Sequence, residues 1–187
     1  MGNYLNQDGK KFYEITHSDI YVDKTELLTY TNSVLQTLQK YICISRPRRF
    51  GKSITASMIA AYYSRGCDSR EMFQGLKIAK HTGFEEHLNQ YNVIHLNMRD
   101  YLTESENMKQ LIQFVEEDLL DELQQEFADL RMPRRRTLVK VLEQAFAQYK
   151  IPFVFIIDEW DCIFRVHKSD AASQKTYLDF LRNLLKD

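Results

Sequence analysis

The sequence predicts an α/β fold in which a parallel β-sheet lies between two layers of helices. Apolar runs of strand length, at residues 41–45, 93–98 and 153–157, alternate with longer segments whose apolar residues recur at helical spacing. The run at 153–157 is apolar at every position, as expected for a strand that is covered on both faces. Helices between such strands are typical of a parallel sheet, so three core strands are expected.

The composition is that of an ordinary globular protein. The chain has 187 residues, of which 44% are hydrophobic and 27% are charged, which is enough for one domain with a substantial core. The net charge of −1 argues against a broadly basic nucleic-acid binder, although a local basic patch is compatible with it. The three cysteines lack a C-x-x-C spacing, which argues against a metal or disulfide framework and favours a cytoplasmic location. No signal peptide or membrane span is recognisable.

The loop after the first apolar run carries the most informative motif. A basic segment leads into Gly51-Lys52-Ser53, and a helical pattern starts there. Strand, loop, Gly-Lys-Ser and helix is the order of a phosphate-binding P-loop, because the free amides and the dipole of a helix start attract phosphate. Lys52 would reach the outer phosphates, and the Ser53 hydroxyl would hold Mg²⁺.

The motif departs from G-x-x-x-x-G-K-[ST] at its first position, where Arg46 replaces the glycine. A glycine there lets the backbone bend tightly around phosphates, whereas Pro47 favours an extended conformation of the residue before it. The guanidinium groups of Arg46, Arg48 and Arg49 would offset this loss, since they match phosphate oxygens. A basic turn between a strand and a helix explains this stretch alone equally well.

An acidic pair, Asp158-Glu159, follows the third apolar run. Ligands of open α/β sheets bind beyond the carboxyl ends of the strands, so these acids are well placed for chemistry. Asp158 would hold Mg²⁺ through its hydration shell, and Glu159 would polarise the attacking water as general base. Such a pair is common by itself, but together with the upstream Gly-Lys-Ser it indicates nucleotide binding and phosphoryl transfer.

Three stretches together resemble the bacterial and archaeal AAA-ATPase-like family. They are YVDKTELL at residues 21–28, SRPRRFGKS at residues 45–53 and the DEWD after the third apolar run. The resemblance spans essentially the whole chain. It implies a single P-loop NTPase-like domain of the three-layer α/β/α type, with residues 1–40 as lead-in and helix and 41–187 as a partial nucleotide-binding core.

The same resemblance implies ATP and Mg²⁺ as cofactors. Lys52 and Glu159 would be the catalytic residues, Ser53 and Asp158 the magnesium ligands, and residues 23–25 would lie near the base or ribose. The nucleotide-binding residues carried over from the Walker A segment are Arg46, Pro47, Arg48, Arg49, Phe50, Gly51, Lys52, Ser53 and Ile54. The Walker B segment would end at Asp158 and Glu159.

The family also sets expectations that this chain does not meet. Its members are usually longer, and many carry a C-terminal nuclease-like domain of the PD-(D/E)xK kind, which no stretch here matches. The family core has five parallel strands, and the strand with the sensor residue and the arginine finger are not recognisable here. An arginine finger is worth about 10³–10⁵ in rate. The chain is therefore expected to be the N-terminal portion of an ATPase, with a homo-oligomer or the nuclease-like domain as its partners. ATP hydrolysis is expected of the intact protein rather than of this portion alone.

An alternative hypothesis to the ATPase is a non-catalytic interaction module of a nucleic-acid transaction or defence complex. The missing strands, the basic loop and the run Arg134–Arg136 support it. A nucleic-acid module would bind with a strong salt dependence, whereas an ATPase would depend on Lys52. A GTPase is not expected, because the sequence has no N-K-x-D guanine motif.

Overall fold

The computed structural model describes residues 2–45, 47 and 49–186, which form helices and a small β-sheet. In chain order the elements are α1 (Lys10–Thr16), α2 (Glu26–Val34), α3 (Lys52–Tyr63), α4 (Arg70–Phe73), a 3₁₀ helix (Lys77–Lys80), α5 (Phe84–His87), β1 (Asn92–Asn97), α6 (Met98–Glu104), α7 (Met108–Glu126), α8 (Leu138–Tyr149), β2 (Phe153–Asp158), α9 (Cys162–Val166) and α10 (Ala171–Leu184). Within this described part, none of the helices is both long and apolar enough to cross a bilayer.

The sheet consists, in the described part of the chain, of β1 and β2, which run parallel to each other. The predicted α/β class is therefore confirmed, and two of the expected strands are present. Every residue of β2 is half-buried. The unbroken apolar run had predicted a strand that is fully buried on both faces.

The prediction of a strand at residues 41–45, the first apolar run, is wrong. This segment is irregular, and its apolar side chains are exposed: Tyr41 by 56%, Ile42 by 38% and Ile44 by 37%. A strand needs a neighbouring strand for its backbone hydrogen bonds, and no described strand pairs with these residues. An apolar run of four residues indicates burial only when such a neighbour is present.

The chain divides into two compact units. The first contains Asn6–His95 and Phe153–Ile156, and the second contains Gly2–Leu5, Leu96–Pro152 and residues 157–186. The Gly-Lys-Ser motif belongs to the first unit, and the acidic pair after β2 belongs to the second.

The core of the first unit is organised around α3. Tyr62 and Tyr63 are buried, and their hydroxyl groups donate to Phe84 O at 2.9 Å and to Asn32 Oδ1 at 2.7 Å. The small residues on the buried side of the helix are Ala56, Ala60 and Ala61. Other members of this core are Phe12, Leu28, Met58, Phe73, Ile78 and Leu88. Because these contacts fix α3 along its length, they also fix the position of its first residue, Lys52.

The core of the second unit is organised around α7. Four of its residues, which recur at helical spacing, are fully buried: Leu111, Val115, Leu119 and Leu123. Beside this face, the half-buried Glu122 carboxylate accepts hydrogen bonds from the backbone amides of Asn3 at 2.6 Å and Leu5 at 2.7 Å. The apolar periodicity of this segment therefore predicted the helix and its buried face.

Candidate functional site

The predicted phosphate loop leads directly into α3. Gly51 precedes the helix and has left-handed backbone angles, φ 76° and ψ 29°, which glycine adopts without steric cost. A Cβ atom added at this position would lie 3.2 Å from Lys24 Nζ, which is too close for an undisturbed contact. The backbone angles therefore favour a glycine between the loop and the helix, whereas the flexible end of Lys24 would only have to shift by a few tenths of an ångström.

The first turn of α3 offers backbone amides to a ligand. The amide of Thr55 donates to Gly51 O at 2.9 Å, and the amides of Ser53 and Ile54 precede this first helical bond. The Ser53 side chain is exposed. Since α3 has 12 residues, its dipole adds partial positive charge at the same end. The helix start thus has the polarity that a phosphate group needs.

The side chains of the loop add cationic groups. Lys52 Nζ lies 3.4 Å from Pro47 O, so its ammonium group is folded back over the loop. Arg49 is exposed and has a left-handed backbone, with φ 69°. The other two candidate arginines, Arg46 and Arg48, lie outside the described residues.

Residues 23–25 form a rigid turn before α2. Asp23 Oδ1 accepts hydrogen bonds from the Thr25 amide at 2.8 Å and from its hydroxyl at 2.6 Å, while Oδ2 accepts from the Lys77 amide at 2.8 Å. Thr25 is fully buried, and its Oγ1 accepts from the Ile78 amide at 3.1 Å. Asp23 thus joins this turn to the 3₁₀ helix, rather than capping α2.

Replacing Asp23 by Asn is expected to destabilise the protein by about 1–2 kcal/mol at neutral pH, because the Lys77 amide loses its anionic acceptor. Partial burial alone would raise the pKa of Asp23, but the hydrogen bonds from Thr25 and Lys77 lower it below its ordinary value. A carboxyl group whose pKa is lowered by folding stabilises the protein above its unfolded pKa, and the effect disappears as the pH falls through the folded pKa. The difference in unfolding free energy between wild type and Asp23→Asn should therefore narrow below about pH 4.

Urea unfolding across this pH range measures the difference, with Asp19→Asn as the control because Asp19 is exposed. The hydrogen bonds assigned to Asp23 would be contradicted if the difference in unfolding free energy between wild type and Asp23→Asn stays constant down to pH 3. They would also be contradicted if there is no difference at pH 7.

The acidic pair lies at the end of β2, as predicted. Asp158 is the last residue of the strand, and its Oδ1 accepts a hydrogen bond from the Glu159 amide at 2.9 Å. Its other oxygen has no partner among the described residues, so one oxygen is available to a magnesium ion or its hydration water. Glu159 has a left-handed backbone with φ 53°, a conformation that costs a non-glycine residue about 1–3 kcal/mol and that clusters at functional sites.

Glu159 does not present a free carboxylate. Its Oε2 forms an ion pair with Arg165 Nη2, and Arg165 Nε lies 3.3 Å from Asp161 Oδ2. The hydrogen bond that Arg165 donates to Glu159 raises the pKa of Arg165, so the guanidinium group remains charged. Arg165 was not among the residues predicted from the sequence, although its spacing of four from Asp161 on a helical segment indicates such a pair.

The cysteine thiols and the possible metal ligands do not indicate a different kind of active site among the described residues. Burial raises the pKa of the Cys67 and Cys162 thiols to about 11, so neither is an activated nucleophile at neutral pH. Over residues 2–45, 47 and 49–186, no group of three or more His, Cys, Asp or Glu side chains could hold a metal ion.

The comparison with known families agrees with the motif. A family model described as "Predicted AAA-ATPase" matches residues 9–187. No curated protein and no solved structure matches the chain. The family supports ATP as the ligand at a general level. Because the match covers nearly the whole sequence, the chain belongs to the predicted AAA-ATPase-like family.

Proposed function

We propose that this chain binds ATP as its magnesium complex at the loop formed by residues 46–54, and that the intact protein hydrolyses it. The observation that carries the proposal is the junction at Gly51, a left-handed glycine followed at once by Lys52 at the start of a buried, well-anchored helix. The free amides of Ser53 and Ile54 would bind phosphate oxygens, and the Lys52 ammonium group would bind the outer phosphates.

The remaining roles follow from the chemistry of the side chains. The Ser53 hydroxyl and Asp158 are the proposed magnesium ligands, and the ion would neutralise charge on the β- and γ-phosphates. Glu159 is the proposed base that orients the attacking water. In the structure its carboxylate is paired with Arg165, so we propose that it exchanges this partner for water when it acts. Arg165 then remains next to Asp161, which holds it in place.

A thermal unfolding series tests the proposal. Saturating ATP with Mg²⁺ should raise the unfolding temperature, because a ligand at 100 times its dissociation constant stabilises a protein by about 2.7 kcal/mol. ATP without Mg²⁺ should stabilise less. GTP serves as the comparison nucleotide, and it should stabilise less than ATP. If no nucleotide shifts the transition at millimolar concentration, the binding proposal fails; if ATP binds but no phosphate is released, only the hydrolysis proposal fails.

One observation favours the alternative, an interaction module that contacts nucleic acid. The side chains of Arg134–Arg136 are all exposed, in the irregular segment between α7 and α8. None of the three forms an ion pair with a carboxylate that the structure describes. Filter binding of a single-stranded oligonucleotide at two salt concentrations distinguishes the two functions. A steep salt dependence that disappears when all three arginines become alanine would support the alternative.

A further inference from the structure

A second lysine reaches the phosphate loop from outside the motif. Lys24 Nζ donates a hydrogen bond to Phe50 O at 3.2 Å, and it lies 3.2 Å from where a Cβ atom on Gly51 would be. The carbonyl groups of Pro47 and Phe50, three residues apart, each accept from a lysine. The same loop therefore accepts hydrogen bonds from both Lys24 and Lys52, although these residues are far apart in the sequence.

The backbone of Lys24 is held firmly in place. Its two neighbours, Asp23 and Thr25, bond to the amides of Lys77 and Ile78, and Thr25 is fully buried. A salt bridge of 2.9 Å between Glu26 and Lys77 joins the same two segments. The base of the Lys24 side chain is therefore fixed, and only its four-carbon stem is free to move. This restraint lowers the entropy that is lost when the ammonium group binds a ligand.

Lys24 has capacity for an anion. An ammonium group has three donors, and the bond to Phe50 O uses one of them. Among the described residues, no carboxylate oxygen lies within 4 Å of Lys24 Nζ, and the side chain is exposed. A second cation held close to Lys52 without a carboxylate of its own is favourable when a multiply charged anion occupies the loop. A polyphosphate chain is such an anion.

We propose that Lys24 is a second phosphate-binding lysine of the nucleotide site, an inference that rests on the function proposed above. It assigns residues 23–25 to the phosphate end of the nucleotide, whereas the family resemblance implied the base or ribose. Lys24 strengthens the binding of the more highly charged nucleotide, because the electrostatic contribution grows with the number of phosphate charges. It therefore favours ATP over ADP and ADP over AMP.

The test is the affinity of Lys24→Met for ATP, ADP and AMP, measured by isothermal titration with Mg²⁺. Methionine keeps most of the unbranched stem but removes the charge. We expect ATP to bind about 10-fold more weakly, which corresponds to about 1.4 kcal/mol, because the phosphate chain loses a charge-assisted hydrogen bond. The loss should be smaller for ADP and smallest for AMP, and Lys24→Arg should retain at least part of the affinity.

A control variant and a set of outcomes distinguish a phosphate-binding Lys24 from a purely structural one. Lys80→Met is the matched control, because Lys80 is an exposed lysine of the same unit on the neighbouring 3₁₀ helix, and it should bind ATP as wild type does. A purely structural Lys24 would lower the unfolding temperature without ligand and weaken all three nucleotides equally, which would overturn the proposal. The proposal would also be overturned if Lys24→Met binds ATP as tightly as wild type does, while Lys52→Ala loses that binding. No binding by wild type would instead reject the proposed function.

Discussion

Lys52→Ala is expected to weaken ATP binding by about 10- to 100-fold, the largest effect of any single change at the loop. The substitution removes the ammonium group that folds back over the loop near Pro47 O, and a charge-assisted hydrogen bond contributes about 1.5–3 kcal/mol. It keeps the helix itself, because alanine is a strong helix former and the start of α3 is anchored by the buried residues further along. Competition against a fluorescent ATP analogue measures the loss.

Two further measurements show whether the effect belongs to the ligand. The unfolding temperature of ligand-free Lys52→Ala should stay close to that of wild type, since Lys52 lies at the surface end of the helix. Lys80→Ala should leave ATP affinity unchanged. If Lys52→Ala binds ATP as tightly as wild type does, the loop is not the phosphate site.

In the intact protein, Glu159→Gln is expected to retain ATP binding and lose about 10²–10⁴-fold in turnover. Glutamine preserves the shape of the side chain, but it cannot accept a proton from the attacking water. Arg165 keeps its contact with Asp161 after the change, so the local structure should persist. Phosphate release at saturating ATP and Mg²⁺ measures the turnover, and titration measures the affinity.

The matched control is Glu143→Gln, a change of an exposed glutamate on α8 that is paired only with its neighbour Lys140 among the described residues. Its turnover should equal that of wild type. Equal turnover in Glu159→Gln and wild type would remove Glu159 from the mechanism. A parallel loss of ATP affinity would indicate that the glutamate acts in binding rather than in activating water.

The sequence predicted the parts of the fold that depend on local periodicity. The apolar spacing of α7 matches its buried face, and the runs that became β1 and β2 were recognised as strands. The prediction of a strand at 41–45 was wrong because the apolar residues of this run carry no information about a partner strand. Hydrophobicity predicts burial, but pairing depends on residues elsewhere in the chain.

The candidate site was predictable where one contiguous motif defines it. The order of Gly51, Lys52 and the start of α3 follows from the sequence, because a glycine before a helix and the helix pattern after it are local signals. The contact of Lys24 with the loop joins residues 26 positions apart, and the pairing of Glu159 with Arg165 depends on the turn between β2 and α9. Such contacts depend on tertiary structure, which local spacing alone does not determine.

Titration of the unmodified chain with a fluorescent ATP analogue, with and without Mg²⁺, tests ATP binding most directly. We expect saturable binding that Mg²⁺ strengthens and that unlabelled ATP displaces. Circular dichroism of the same sample verifies that the protein is folded. A folded protein with no saturable binding under either condition would contradict the central claim that the loop before α3 is an ATP site.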